Sequence, residues 1–174
     1  LGPNGSARDR VTGKIKFYDN AEGGSTNDVK FRNIIQTIFN TDWSDKMNLR
    51  VDVMILAGLS GGNGSGTFEE LAVHAREACR RAGATEVRVF GYLFLPDTVE
   101  AFERENLEAL KSIYINGYSA LKELESYMSI PASPGRGEEF YSRDGAITIE
   151  CNDANRLFDY PILISGTYEE SIRM

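Results

Sequence analysis

The chain has 174 residues, with 19 Lys and Arg against 26 Asp and Glu and a formal charge of -7. Its basic residues stand singly among acids, Arg80-Arg81 being the densest pair, which excludes a nucleic-acid partner because displacing counterions takes clustered cations. The longest apolar runs, residues 51–59 and 87–96, fall far short of the roughly 20 residues that cross a bilayer, so no membrane span is expected.

A hydrophobic fraction of 41% at this length predicts one domain with one sizeable core. Cys79 and Cys151 offer neither metal spacing nor a disulfide framework, which fits a reducing cytoplasm. The chain opens at Leu1 without a leader pattern, so no export signal is expected.

Residues 1–10 are rich in Gly, Pro, Asn and Ser and predict a loop. Residues 11–18 are short and mixed, with helix favoured over strand, and residues 19–28 predict a polar loop. Phe31, Ile34, Ile35, Ile38 and Phe39 recur at three and four residues, the stripe by which a helix lays one face on a core. Val51 to Ala57 form a β-branched apolar run suited to a strand buried on both faces of a parallel sheet. After a Gly-rich loop, Phe68, Leu71, Ala72, Ala75, Ala78, Cys79 and Ala82 make a second helical stripe, with Gly83 placed to end it in a left-handed conformation. His74 falls off that stripe and is expected in solvent.

Residues 87–95 predict the next strand, so residues 51–95 spell strand, Gly loop, helix, strand, a parallel crossover unit. From Thr98 to Met128 the apolar spacing is helical, with Asn116-Gly117 a candidate break into two helices. Residues 129–144 predict a mobile loop or hairpin, 146–150 a short strand and 158–165 a third core strand. A parallel strand is normally followed by a covering helix, so the domain is expected to continue beyond Met174. Acid clusters at residues 100–105 and 123–125 lie beside basic residues at helical spacing and predict a solvated, ion-paired face. Trp43 is expected in the core.

The chemistry concentrates in residues 58–67, GLSGGNGSGT, where five of nine positions from Gly58 to Gly66 are glycine. Between a buried strand and a helix start, side-chain-free backbone can converge several N–H groups on one anion, helped by the helix's unpaired donors and dipole. Ser65 and Thr67 hydroxyls are candidate additional donors. A Walker loop is excluded because no Lys occurs between Asn48 and Arg81, and the glycine spacing does not match the dinucleotide fingerprint. Gly58-Leu59-Ser60-Gly61-Gly62 satisfies G-x-S-x-G. The only histidine, His74, however lies roughly 13 Å along the following helix and precedes any downstream base, so a serine hydrolase is disfavoured.

Ser60-Gly61-Gly62-Asn63-Gly64-Ser65-Gly66 resembles the signature loop of the tubulin/FtsZ superfamily, with Asn63 in place of the usual Thr. Asn116-Gly117-Tyr118-Ser119-Ala120-Leu121-Lys122-Glu123-Leu124 is similar to the N-x-Y-A-x-L-K-E-L segment of bacterial tubulin-like proteins. Residues 5–14 are more weakly similar to the family's earlier phosphate loop and helix start, and residues 158–166 to its next core strand. The resemblance implies an α/β, Rossmann-like three-layer fold with a parallel sheet and helices on both faces, here an incomplete GTP-binding domain, and residues 129–147 are expected as a mobile loop insertion within it. It implies GTP or GDP as ligand, with any Mg2+ carried by the phosphates. Gly61, Gly62, Asn63, Gly64, Ser65, Gly66 and Thr67 would cradle the phosphates and Gly5, Ser6 and Ala7 would flank the terminal one. Pro96, Asp97 and Asn116 would lie on the ribose side, where the family's ribose-contacting acid aligns with Ile113.

In the family an acidic loop from a neighbouring subunit positions the attacking water, and polymerisation and hydrolysis are coupled. Asn152-Asp153-Ala154-Asn155 lacks that loop's form, so hydrolysis is expected to need elements absent from this chain. The expected role is guanine nucleotide binding that supports nucleotide-regulated self-association or filament formation. The alternative is a non-enzymatic scaffold or interaction module of the same fold, to which the Asn63 substitution and the missing ribose acid point.

Overall fold

The computed structural model describes residues 9–18, 20–21, 25–40, 49–129, 137–142, 145–150 and 156–166. In chain order the elements are α1 (Arg10–Tyr18), β1 (Asn20–Ala21), β2 (Ser25–Thr26), α2 (Asn27–Asn40), β3 (Arg50–Gly58), α3 (Gly62–Arg81), β4 (Glu86–Phe94), α4 (Asp97–Glu103), α5 (Leu107–Ser129), β5 (Gly137–Ser142), β6 (Gly145–Glu150) and β7 (Tyr160–Ile164). The expected α/β class holds, on a small sheet: β3, β4 and β7 are parallel in the order β3-β4-β7, with Val53 opposite Val89 and Phe90 opposite Tyr160. β5 and β6 pair antiparallel, a hairpin whose second strand covers the short strand expected at 146–150 and runs past the end of the insertion expected at 129–147, and β1 and β2 form a short antiparallel ribbon inside the loop expected at 19–28.

Local chemistry accounts for the helix ends. Asp9 opens α1 by accepting the Val11 N–H at 3.0 Å and the Thr12 hydroxyl at 2.5 Å, satisfying donors a helix start leaves free. Gly83, at φ 101°, ends α3 in the left-handed region, as its position predicted, and the Ala84 N–H returns to the Cys79 carbonyl at 3.0 Å. The expected break at Asn116-Gly117 is not there: α5 runs unbroken through both residues. Instead the chain interrupts between Glu103 and Leu107, where the Asn106 side chain accepts the Ala109 N–H at 3.0 Å and caps α5.

The core lies between the sheet and α3. Phe68 and Phe158 stack with parallel rings, and around them pack Ile55, Ala57, Leu59, Val89, Leu93, Ala120, Leu124 and Leu157. Phe158 lies so close over Gly91 that any Cβ there would strike its ring. At the entrance to β7, Asp159 accepts the Val89 N–H at 2.6 Å and an Arg76 N–H at 2.8 Å, while Arg76 also donates to the Val87 carbonyl at 2.8 Å.

Three further expectations change. β3 is not buried on both faces: Met54 and Leu56 are 62% and 67% exposed, on the side of the sheet away from α3, where Phe90 stacks on Tyr160 at 4.8 Å. His74 is fully buried rather than solvated, because α1 covers the side of α3 that its apolar stripe leaves over, with Phe17 and Tyr18 against the imidazole. In α2, Ile35 packs on the core but Ile34 and Ile38 are mostly exposed. Trp43, Cys151 and residues 152–155 lie outside the described residues.

Candidate functional site

The carboxyl ends of β3, β4 and β7 come together at one edge of the sheet, where the Gly-rich loop turns into α3. Leu59 extends the ladder past β3 by donating its N–H to the Phe94 carbonyl at 2.9 Å. Gly61 is then the N-cap of α3, in extended conformation (φ -94°, ψ 160°), with no side-chain capping bond. The first backbone bond of the helix runs from the Ser65 N–H to the Gly61 carbonyl at 3.2 Å. Helix geometry therefore leaves the N–H groups of Gly62, Asn63 and Gly64 without intrahelical acceptors. With no acidic residue in that first turn, the positive end of a 20-residue helix is not neutralised by its own side chains.

The glycines divide into two kinds. A Cβ at Gly64 would collide with the Gly58 backbone, one at Gly66 with the Arg10 backbone, and one at Gly13 of α1 with the Gly62 carbonyl. These glycines let the backbones of neighbouring elements meet closely. A Cβ at Gly58 or Gly61 would meet nothing within 4 Å, so each position faces open space, and Asn63, two residues after Gly61, is exposed. The two candidate hydroxyls are turned back into the helix: Ser65, wholly buried, donates to the Gly61 carbonyl, and Thr67 donates to the Asn63 carbonyl at 2.7 Å.

On the neighbouring loops, Pro96 is buried with its ring against Gly117. Asp97 accepts the Ser165 hydroxyl and, at 3.1 Å, the Gly166 N–H through Oδ2, while its Oδ1 is buried without a hydrogen-bond partner. Asn116, also buried, donates from Nδ2 to the Ser60 carbonyl at 3.0 Å. Thus the structure gathers residues 61–67 with Pro96, Asp97 and Asn116 at one edge. Gly5, Ser6 and Ala7 lie outside the described residues.

Behind the loop sits a charged cluster that the sequence reading did not find. Arg10 donates to the Ser65 carbonyl at 2.9 and 2.7 Å and to Glu123 at 3.1 and 2.5 Å. Lys14 pairs with Glu70 at 2.7 Å and lies 3.8 Å from Glu69. Glu69 and Glu70 are almost wholly buried. Burial, the hydrogen bond to Glu123 and the neighbouring carboxylates push the Glu69 carboxyl up to about 9, so it holds a proton and donates it to Glu123. At Glu70 burial outweighs the Lys14 pair and holds the carboxyl above its ordinary range. Burial also acts on Glu123, but Arg10, Glu69 and Lys14 outweigh it and keep that carboxyl low. Glu123 thus belongs to a partly buried network rather than to a solvated face, whereas Lys122 and Glu125 pair in solvent as expected. The available signal was Arg10 and Lys14, two cations on a short helix that has to pack on α3.

Among the described residues no group of three or more His, Cys, Asp or Glu is arranged to hold a metal ion, and no helix is long and apolar enough to cross a membrane. No curated protein and no solved structure matches the chain. A family model described as tubulin-like does match, over residues 3–165, a span that includes the Gly-rich loop, the three parallel strands and the helices between them. The chain therefore belongs to the tubulin-like family, within the tubulin/FtsZ superfamily.

Proposed function

We propose that the chain binds a guanine nucleotide, GTP or GDP, at the carboxyl edge of the sheet, and that binding supports self-association. The observation that carries this reading is the start of α3: an uncapped helix end free of acids, with amides at Gly62, Asn63 and Gly64 that lack acceptors within the helix, beside the open space at Gly61. Such an end favours phosphate through both its donors and its dipole. The residues fit a triphosphate through main chain, and Mg2+ would arrive coordinated by phosphate oxygens. Family membership supports guanine and assembly. Hydrolysis would depend on an acidic loop that no segment of these 174 residues matches.

Gly61→Asp tests the cradle. A Cβ at this position meets no atom within 4 Å, so the fold is expected to be retained, and the added carboxylate repels phosphate. GTP affinity by calorimetry is expected to fall by at least about tenfold, the equivalent of about 1.4 kcal/mol. Unchanged affinity would overturn the assignment.

A second reading, a scaffold of the same fold that no longer binds nucleotide, is favoured by the commitment of the Ser65 and Thr67 hydroxyls to backbone carbonyls. Wild-type protein that neither copurifies with nucleotide nor binds added GTP would decide for it.

A further inference from the structure

We propose that Asn116 is a positioning residue for the nucleotide's phosphates, which it orients donors toward without touching. The inference rests on the nucleotide-binding reading above. Its Nδ2 holds the Ser60 carbonyl at 3.0 Å, and both residues are buried. No peptide bond in the described chain is cis, so the N–H of Gly61 points away from the carbonyl of Ser60 across a planar trans unit. Fixing that carbonyl on α5 therefore fixes the Gly61 N–H in the opposite sense, away from α5. Gly61 is the one residue of the N-cap and first turn that combines an extended backbone with free space where a side chain would stand. A peptide flanked by Gly is the one most able to flip, and the Asn116 bond removes that freedom.

The next residue supports the same role. Gly117 leaves room for the Pro96 ring, which any Cβ there would strike, and Pro96 leads directly into Asp97, whose carboxylate ties down Ser165 and Gly166. The pair Asn116-Gly117 in mid-helix thus registers α5 against the loop after β3 through one hydrogen bond and against the loop after β4 through one close contact. The loop after β7 is tied in through Asp97. A helix interior disfavours both Asn and Gly, and here the contacts to these loops help hold the pair in place.

Asn116→Ala tests this, with Asn116→Leu as the variant that keeps the buried volume should the alanine form fail to fold. Calorimetry is run with GTP, ATP and inorganic tripolyphosphate. If Asn116 acts through the loop, affinity for GTP and for tripolyphosphate falls in parallel by about tenfold, and the ratio of GTP to ATP affinity is unchanged. Equal affinity in wild type and variants overturns the proposal. So does a loss confined to GTP with tripolyphosphate binding intact, which would place Asn116 on the nucleoside.

Wild-type protein that binds none of the three ligands overturns the nucleotide reading instead. The Gly61 amide then tests the positioning by itself. In ligand-free protein Asn116→Ala should shift its NMR resonance and speed its hydrogen exchange, while amides near Arg80 and Arg81 keep theirs. An unmoved Gly61 amide overturns the role.

Discussion

Helix α3 is buried on two sides by opposite chemistry. Toward the sheet it presents Phe68, Ala72 and Cys79, and toward α1 and α5 it presents Glu69, Glu70 and His74, all of them almost fully inaccessible to water. The first side is held by apolar transfer and close packing. The second is tolerated only because charges are matched: two cations from α1 face three carboxyls, one of which keeps its proton. Burial on the first side is favourable in itself, while on the second it is a cost offset by partners. The two sides should accordingly respond differently to truncation and to pH.

The largest expected effect is on the apolar side. Phe68→Ala removes a ring stacked on Phe158 and should lower unfolding free energy by about 3–5 kcal/mol, read from denaturant melts. On the polar side, Lys14→Ala leaves Glu70 without its cation. Because Lys14 is half exposed and Glu70 can take up a proton, the cost should be smaller, about 1–3 kcal/mol, and should shrink as pH is lowered. A loss independent of pH would show that the lysine acts by packing its stem rather than by charge.

The smallest effect sharpens the contrast most. The Glu69 carboxyl titrates from about 4.5 when unfolded to about 9 when folded, so between those values the folded state binds the extra proton and stability falls as pH rises. Glu70 is shifted in the same direction. Glu69→Gln keeps a donor toward Glu123 and carries no titrating proton. It should be nearly neutral near pH 5 and more stable than wild type by about 1–2 kcal/mol near pH 8, with a flatter profile between. A variant less stable than wild type at both pH values would mean that Glu69 is ionised in the fold.

This contrast also explains what could be read from residues alone. The β3, loop, α3, β4 unit was legible because apolar spacing reports the side of a helix that meets a sheet, and because Gly83 marks its end by conformation. The charged side was not, since Glu69, Glu70 and His74 carry the same letters as solvated residues until α1 is known to lie across them. Asn116-Gly117 reads locally as a helix breaker, but the Ser60 carbonyl and the Pro96 ring, more than 20 residues away along the chain, hold it in α5. Within the loop, glycine density pointed to close approach. It did not separate Gly64 and Gly66, which admit neighbouring backbone, from Gly58 and Gly61, which face open space.

The side of the sheet carrying Met54, Leu56, Tyr160 and Ile162 gives any assembly experiment a second signal to account for. These exposed side chains lie on β3 and β7, on either side of β4, and oily surfaces of that sort attract one another without regard to ligand. Turbidity that grows with protein concentration would thus report stickiness as readily as ordered growth, and only the increment that appears with nucleotide and disappears in Gly61→Asp belongs to the loop.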